Sequence, residues 1–343
     1  MTAARPAFGP GSTLPAVLPG DHIFPGLPLF DPSRGETVFE PEAPGAGYWV
    51  GAPGLVRDAE RNRYLLVYRR RRPRGVEPDL GYTVRIAVSA DGLRFRDIWS
   101  VGKAAFGTTS MERCSLVRVP DGPWRLYVSY VDPADNRWRI DVVEGETPES
   151  LDVGTARVAL TASQAGTEGV KDPWVFRLGN LWHMLVSYAA PRPLVDAERQ
   201  EMHATADVFN TGLLVAPTGL ATSEDGLTWR WEREILAVSE PGAWDGYQSR
   251  LNCLFYRAPA WIGLYDGSAS AAGNYEERTG IAYSFDLRHW HKATLSGPAL
   301  VSPHASGSLR YVDVVALPDR LWFYYEYARS DGAHELRRSE VRL

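Results

Sequence analysis

The sequence predicts an all-β fold, a five-bladed β-propeller of four-stranded antiparallel blades with a short irregular N-terminal extension. Three observations carry this prediction: short strand-like runs fill the chain from about residue 47 onward, a turn motif recurs, and each repeat is long enough for four strands. Few long segments have the 3.6-residue period of an amphipathic helix, which argues against an α/β fold. A single β-sandwich of about 100 residues has about seven strands, whereas this chain has about twenty in 300 residues, and the repeat favours the propeller.

The strand-like runs are five to nine residues long and rich in β-branched and aromatic residues, as is typical of antiparallel strands. They include YLLVY (64–68), YTVRIAVS (82–89), WRLYVSYV (124–131), WRIDVV (138–143), LWHMLVSYA (181–189) and LWFYYEYA (321–328). The terminal run ELRRSEVRL (335–343) alternates in the same way. We therefore expect it to form a late strand of the fifth blade. An N-terminal or C-terminal strand should complete that blade.

The turn motif occurs as SADGLRF (89–95), SEDGLTW (223–229) and SFDLRHW (284–290). A Ser or Asp side chain bonds its own backbone in such a turn, and glycine accepts a positive φ in two of the copies. The aromatic residue then returns to the sheet and packs. Aligning these turns divides the chain into five units of roughly 50 to 75 residues. The units start near Tyr48, Met111, Val170, Tyr247 and Leu309.

The N-terminal stretch differs from the rest of the chain in composition. Residues 1–35 contain seven prolines and five glycines without periodicity, so we assign residues 1–40 to an extension and residues 41–343 to the propeller domain. The stretch lacks the basic start and the continuous apolar run of a secretory signal. No run of 18 apolar residues is present. The expectation is a cytoplasmic protein without a membrane span.

Composition and charge exclude several function classes. With 37 basic and 42 acidic residues the net charge is −5, the opposite of what a nucleic-acid-coating protein carries. Cys114 and Cys253 are too few for a disulfide framework or a thiolate metal site. His289 and His291 flank Trp290 without a third ligand, so no metal is expected. The sequence contains no P-loop, GxGxxG or GxSxG motif, and no cofactor is predicted.

Acidic residues recur at the start of the first strand of four units. In a propeller these strands line the central channel, so Glu112, Asp172, Asp245 and Asp313 are expected to converge there. Glycosyl transfer needs such carboxylates, one protonated to assist the leaving oxygen and one ionised to activate water or attack carbon. We therefore predict a solvated catalytic pocket with Glu112 and Asp172, and with Asp245 or Asp313 as a third carboxylate.

Aromatic and cationic residues accompany these acids. Tryptophan offers a flat apolar surface to the C–H face of a sugar, and cations hold hydroxyls or an anionic group. The predicted substrate-binding residues are Trp49, Arg113, Lys171, Trp174, Gln248, Arg250 and Arg310. A helix-like insert, residues 195–209, is either a lid over the site or a surface excursion without a role. The run RRRRPR (69–74) is either an anion-recognition site or a solvated strand end.

At the level of motifs the sequence resembles the five-bladed propeller glycosidases. The SxDGLxW repeat, the strand KDPWVF (171–176) and the five-unit spacing are similar to the arabinanase and β-xylosidase family, the invertase-like family and the mannoside phosphorylase family. The resemblance covers about residues 45–343. It implies a central pocket with two or three carboxylates that acts on the end of a small glycoside.

The first strand departs from that pattern. The arabinanase-like families carry an Asp in an A-D-P motif as catalytic base, whereas this chain has Ala52 next to Pro53. Lys171 and Asp172 also resemble the Lys-Asn strand of the mannoside phosphorylases, in which phosphate is the nucleophile. The predicted function is hydrolysis of a small glycoside. Phosphorolysis, sugar binding by a pseudo-enzyme and a non-hydrolytic biosynthetic reaction on the same fold remain open.

Overall fold

A computed structural model describes residue 27 and residues 29–343, and most of the predicted extension lies outside these residues. This part of the chain consists mainly of β-strands, with two short α-helices. None of its helices has the length and apolarity needed to cross a membrane. Antiparallel pairing sorts the strands into five groups of four, which we call sets I to V.

The sets follow one another along the chain, apart from β1 (Glu36–Phe39). Set I comprises β2 (Trp49–Asp58), β3 (Arg63–Arg72), β4 (Leu80–Ser89) and β5 (Arg96–Gly102). Set II comprises β6 (Ser115–Arg118), β7 (Trp124–Val131), β8 (Trp138–Gly145) and β9 (Asp152–Leu160). Helix α1 (Ala162–Ala165) leads into set III, which comprises β10 (Gly169–Leu178), β11 (Leu181–Ala189), β12 (Thr218–Ser223) and β13 (Arg230–Leu236). Helix α2 (Asp196–Ala204) lies between β11 and β12.

The last two sets complete the chain. Set IV comprises β14 (Gln248–Arg257), β15 (Ala260–Ser268), β16 (Arg278–Ser284) and β17 (Trp290–Lys292). Set V comprises β18 (Leu309–Leu317), β19 (Arg320–Ala328), β20 (His334–Arg342) and β1. Sets II and III are separate sheets, whereas single parallel pairings connect set IV to set V and set V to set I.

Set V is assembled from both ends of the described chain. Strand β20 pairs with β19, which confirms the late strand predicted from the alternation of residues 335–343. Strand β1 then pairs with the outer edge of β20 and lies within the stretch that we assigned to the extension. This pairing covers an edge of β20 that would otherwise be exposed.

The recurring turn has the same hydrogen bonds in all three copies. Asp225 Oδ1 accepts the backbone N–H groups of Leu227 and Thr228, and Asp91 and Asp286 accept the corresponding pairs. Gly92 and Gly226 adopt a φ of 70°, and Leu287 adopts 65° in the copy without glycine. The motif is therefore a structural element that connects successive strands.

Phe30 shows that the segment before β1 is part of the core. Its ring lies 4.8 Å from the rings of both Phe323 and Tyr325, and the side chain is only 2% exposed. We expect Phe30→Ala to lower the free energy of unfolding by about 3 to 5 kcal/mol, because it leaves a cavity between these rings. Urea unfolding followed by tryptophan fluorescence measures the change.

Phe285→Ala is the matched control for this substitution. Phe285 is 65% exposed, so its truncation should change the free energy of unfolding by no more than about 0.5 kcal/mol. Equal effects of the two substitutions would show that the segment around Phe30 does not contribute to the core.

Candidate functional site

The first strands of four sets carry a bulge close to their N-terminal ends. The pairing shifts between Gly51 and Gly54 in β2, and at the corresponding places in β10, β14 and β18. Within these bulges Ala52, Asp172 and Tyr311 adopt φ values of 52°, 57° and 53°. Left-handed backbone is costly for residues other than glycine and persists only where surrounding contacts hold it. The bulges redirect side chains at one end of the strands.

A cluster of ion-paired side chains lies at this end. It combines five acids and five cations around one tyrosine, and all of them are buried. We call it the central cluster, and its members are Arg69, Arg71, Glu112, Lys171, Asp172, Arg250, Asp266, Glu277, Arg310, Tyr311 and Glu326.

Each of the two acids predicted as the catalytic pair is held by cations. Glu112 Oε2 lies 2.8 Å from Arg69 Nε, and its Oε1 lies 3.0 Å from Arg71 Nη1. Asp172 Oδ2 lies 2.9 Å from Arg250 Nη1 and 4.0 Å from Lys171 Nζ. Burying a carboxylate is tolerated only with such partners, which favour the ionised form. Both acids are therefore ion-paired in the resting structure.

Tyr311 lies between these two acids. Its phenol oxygen is 3.5 Å from Glu112 Oε2 and 3.5 Å from Asp172 Oδ2, and it accepts a hydrogen bond of 3.1 Å from Arg250. Glu112 Oε2 and Asp172 Oδ2 are therefore at most about 7 Å apart. Burial raises the pKa of Tyr311 well above its usual value although Arg250 opposes the shift, so the phenol is neutral.

Three further acids complete the cluster. Arg250 Nη2 lies 2.6 Å from Asp266, and Arg310 lies 2.7 Å from Glu277 and 2.6 Å from Glu326. Burial, reinforced by the charge of Glu277, raises the pKa of Asp266 against the opposing effect of Arg250. Burial would also raise the pKa of Glu277, but Arg310 and Arg250 outweigh it and lower the value to about 2.

These three acids were not among the predicted site residues, because they do not lie on the first strands. Asp266 lies on β15, Glu326 lies on β19, and Glu277 directly precedes β16. A signal for two of them was present in the sequence: each is the only acid in an apolar strand, WIGLYDGS (261–268) and LWFYYEYA (321–328). A charged residue in such a run is buried and must have a partner.

The structure brings seven of the predicted residues together. Five belong to the cluster, namely Glu112, Lys171, Asp172, Arg250 and Arg310. Gln248 donates a hydrogen bond of 3.0 Å to Glu277. Trp49 stacks on His334 at 4.6 Å, and the Arg310 guanidinium lies 4.7 Å from its ring centroid. Of the run of arginines at 69–74, Arg69 and Arg71 face the cluster.

Arg113 points away from the cluster. Its guanidinium donates to the carbonyl oxygens of Asn252 at 2.7 Å and Pro53 at 3.2 Å, and lies 3.6 Å from Asp313. These contacts join the segment before β6 to the first strands of sets I, IV and V. The side chain therefore crosses the space between these strands and separates the cluster from Asp313.

Asp313 and Trp174 line a different cavity beyond Arg113. Asp313 accepts hydrogen bonds from the backbone N–H of Leu55 at 2.6 Å and from Trp174 Nε1 at 3.0 Å. Burial raises the pKa of Asp313, and Arg113 opposes the shift. The cavity has a volume of about 300 Å³ and is lined among others by Ser115 and Phe176. Trp174 and Asp313, which follow the bulges of β10 and β18, thus face a cavity away from the central cluster.

Asp245 lies in neither place. Its carboxylate is 2.6 Å from Lys292 Nζ and accepts a hydrogen bond of 2.9 Å from the Tyr265 hydroxyl. Asp245 precedes β14, and its partners lie on β15 and β17, so it ties the entering loop to the outer part of set IV. The prediction placed it on the first strand, where it would face the other acids.

The insert of residues 195–209 covers part of the cluster. It contains α2, as its helix-like pattern predicted, and Phe209 follows with its ring centroid 4.4 Å from Lys171 Nζ. Asp207 accepts a hydrogen bond of 2.9 Å from Tyr275, whose ring lies 4.5 Å from the Arg71 guanidinium. The insert and Tyr275 thus shield two cations of the cluster, and the site is buried instead of solvated as predicted.

Comparisons with known proteins reveal similarity in structure alone. No protein-family model and no curated protein matches the sequence. The GH43_1 enzyme from Xanthomonas citri complexed with xylotriose superposes with a TM-score of 0.61, at 11% identity over 90% of each chain. A thermostable family-43 glycoside hydrolase gives 0.60, at 13% identity over 89% of this chain and 93% of the other. β-1,2-Mannobiose phosphorylase from Listeria innocua, complexed with β-1,2-mannobiose, gives 0.57, at 14% identity over 89% and 94%.

These similarities identify the fold class of the chain. They extend over most of both chains at low sequence identity, so they show a shared fold. A shared fold does not by itself determine the reaction. The resemblance to the propeller glycosidases that the sequence motifs indicated is thereby confirmed for the fold.

Glu326 provides a test of the energetic importance of the cluster. Burial raises the pKa of Glu326, but Arg310 and Arg69 more than offset this and lower the pKa well below its usual value. Glu326→Gln leaves these cations without their shared partner, and we expect the free energy of unfolding to fall by about 3 to 5 kcal/mol at pH 7. Urea unfolding across a pH series measures the loss.

The pH series also tests the direction in which the stabilising effect of Glu326 changes with pH. An acid with a lowered pKa in the folded state stabilises the protein above the unfolded pKa, about 4.3 for Glu, and loses this effect as the pH falls to the folded value. The difference between parent and variant should therefore be constant from pH 7 to about 5 and shrink below about 4.3. Glu60→Gln is the control, since Glu60 is exposed and 3.9 Å from Arg118.

Proposed function

We propose that sets I to V are the five blades of a propeller and that the central cluster is the catalytic site of a glycoside hydrolase acting on a small glycoside. Contacts between successive sets support the radial arrangement. Arg69 of set I pairs with Glu112 before set II, and the Arg113 amide donates to Asp172 of set III. Asp172 pairs with Arg250 of set IV. Arg310 of set V pairs with Glu277, which directly precedes β16 of set IV. Glu326 of set V lies 3.4 Å from Arg69 of set I.

The observation that carries the catalytic proposal is the shared contact of Glu112 and Asp172 with one phenol oxygen. It brings one carboxylate from the segment before set II and one from the first strand of set III within about 7 Å of each other, which does not exceed the upper limit of about 9.5 Å for glycosidase pairs. Lys171 contributes an ammonium group that lies 4.0 Å from Asp172 without a hydrogen bond to a described residue, and it would donate to a substrate hydroxyl. Trp49 adds an aromatic wall.

Substitution of the two acids tests this proposal. Glu112→Gln and Asp172→Asn should each reduce turnover of 4-nitrophenyl xylosides, arabinosides and mannosides by at least about a hundredfold, because each removes a group that handles protons or charge in the transition state. The xylosides and mannosides follow the ligands and activities of the structural neighbours, and the arabinosides follow the resemblance to the arabinanase family.

Asp245→Asn is the control for these substitutions. Asp245 is a buried acid that pairs with Lys292 outside the cluster, so its loss should leave turnover within about threefold of the parent. Melting temperatures of all variants separate loss of catalysis from loss of folding. A parent that binds sugars and is inactive towards every substrate would favour the pseudo-enzyme.

Phosphorolysis is a second candidate that two observations favour. Ala52 occupies the bulge of β2 where the resemblance places a catalytic base, and the uncommitted Lys171 ammonium is suited to an oxyanion. Phosphate needs no deprotonation to attack the anomeric carbon. Hydrolysis remains the first candidate, because the carboxylates of the cluster are available without a new nucleophile.

Assays with and without millimolar phosphate distinguish the two reactions. We expect free sugar to be released at the same rate in both conditions, because hydrolysis uses water as the nucleophile and needs no phosphate co-substrate. Chromatography of the products against sugar 1-phosphate standards provides the measurement. Strict dependence on phosphate, with sugar 1-phosphate as product and its loss in Lys171→Met, would establish phosphorolysis.

A further inference from the structure

We propose that the Tyr311 hydroxyl is the catalytic nucleophile of the central cluster and forms a covalent aryl glycoside during turnover. The inference rests on the proposed glycosidase function and adds a residue to it that neither the sequence motifs nor the resemblance indicated. It predicts a reaction that retains the anomeric configuration.

The position of the hydroxyl is the first argument. Its oxygen can donate to Glu112 Oε2 or Asp172 Oδ2, both at 3.5 Å, while it accepts from Arg250 Nη1 at 3.1 Å. A nucleophile with a base on one side and an oriented donor on the other is the arrangement that activates hydroxyl groups in enzymes. A tyrosine nucleophile is known among glycosidases that depart from the two-carboxylate scheme.

The location of protons is the second argument. A leaving oxygen needs a proton, and Glu112 and Asp172 are both engaged in ion pairs with cationic partners within 4.0 Å. The bulge of β2 provides Ala52 instead of an acid. The Tyr311 phenol is neutral and lies in contact with both carboxylates. It can therefore supply the missing proton and the nucleophilic oxygen together.

The electrostatic surroundings of the ring are the third argument. The guanidinium carbons of Arg250, Arg310 and Arg69 lie 3.8, 5.1 and 5.9 Å from its centroid. Burial opposes negative charge on the phenol oxygen, and Arg250 and Arg310 counteract that effect as its proton leaves. Ion pairs with the acids of the cluster fix all three arginines, so little reorganisation is required.

The backbone of Tyr311 is the fourth argument. Its φ of 53° is unusual for a bulky aromatic residue, and its amide is held by a hydrogen bond of 2.9 Å to Asp266. Strained backbone of this kind persists where the surrounding structure enforces it, and it concentrates at functional sites. Here it turns the phenol inward to the two acids.

The proposed step balances without another reactant. The phenol oxygen forms a bond to the anomeric carbon as the bond from that carbon to the leaving oxygen breaks. Glu112 takes the phenol proton and passes it to the leaving oxygen. Water then attacks the anomeric carbon, the phenol oxygen departs, and Glu112 carries a proton from water to Tyr311. The sum is hydrolysis of one glycosidic bond.

The experiment combines product analysis, trapping and substitution. Proton NMR of the first sugar released from the best 4-nitrophenyl substrate should show the retained anomer. The 2,4-dinitrophenyl 2-deoxy-2-fluoro glycoside of the same sugar should inactivate the parent and add one sugar mass to the peptide that contains Tyr311. Tyr311→Phe should reduce kcat by about a thousandfold or more.

Tyr127→Phe is the matched control, because this buried tyrosine donates to a carbonyl oxygen of Gly226 away from the cluster. It should stay within about threefold of the parent. An inverted product, a sugar adduct on Glu112 or Asp172, or a Tyr311→Phe variant within tenfold of the parent overturns the proposal while the glycosidase function stands. A parent that neither hydrolyses the panel nor reacts with the fluoro glycosides overturns both.

Discussion

The burial of charge at the beginning of the first strands is the constraint on which the rest of the structure depends. Five carboxylates and five cations lie there out of contact with water, and each would cost several kcal/mol if it were left unpaired. The structure avoids this because arginines bridge acids of neighbouring sets: Arg250 joins Asp172 to Asp266, and Arg310 joins Glu277 to Glu326. Removing one member would leave its partner buried and unpaired, which is strongly destabilising. The cluster therefore contributes to the stability of the contacts between sets.

The same pairing determines which chemistry is available. Guanidinium groups hold both Glu112 and Asp172 in ion pairs, whereas a leaving oxygen needs a proton donor. The neutral phenol of Tyr311 lies between Glu112 and Asp172, and it is the group of the cluster with a proton next to both acids. The cover formed by Phe209 and Tyr275 over the cations strengthens these electrostatic interactions by excluding water.

The similarity to glycosidases of 11 to 14% identity shows how much a fold leaves undecided. Arg113 illustrates the point. Its side chain occupies the space between the first strands, so that Asp313 and Trp174 belong to a cavity on the other side and cannot act together with Glu112. The acids, the cations and the phenol that are in contact with one another all lie in the central cluster.

The sequence alone determined the local features, namely the strands, the SxDG turns, the late strand β20 and the presence of acids where the first strands begin. These follow from side-chain period and turn chemistry, which depend on neighbouring residues. Tertiary structure decided which of the acids meet. A one-residue bulge turns Asp172 and Tyr311 inward and sends Asp313 to the other side, and a residue of left-handed φ such as Tyr311 has no sequence signature when it is not glycine. Glu326 and Asp266 reach the cluster from second strands, because distant arginines compensate for their burial.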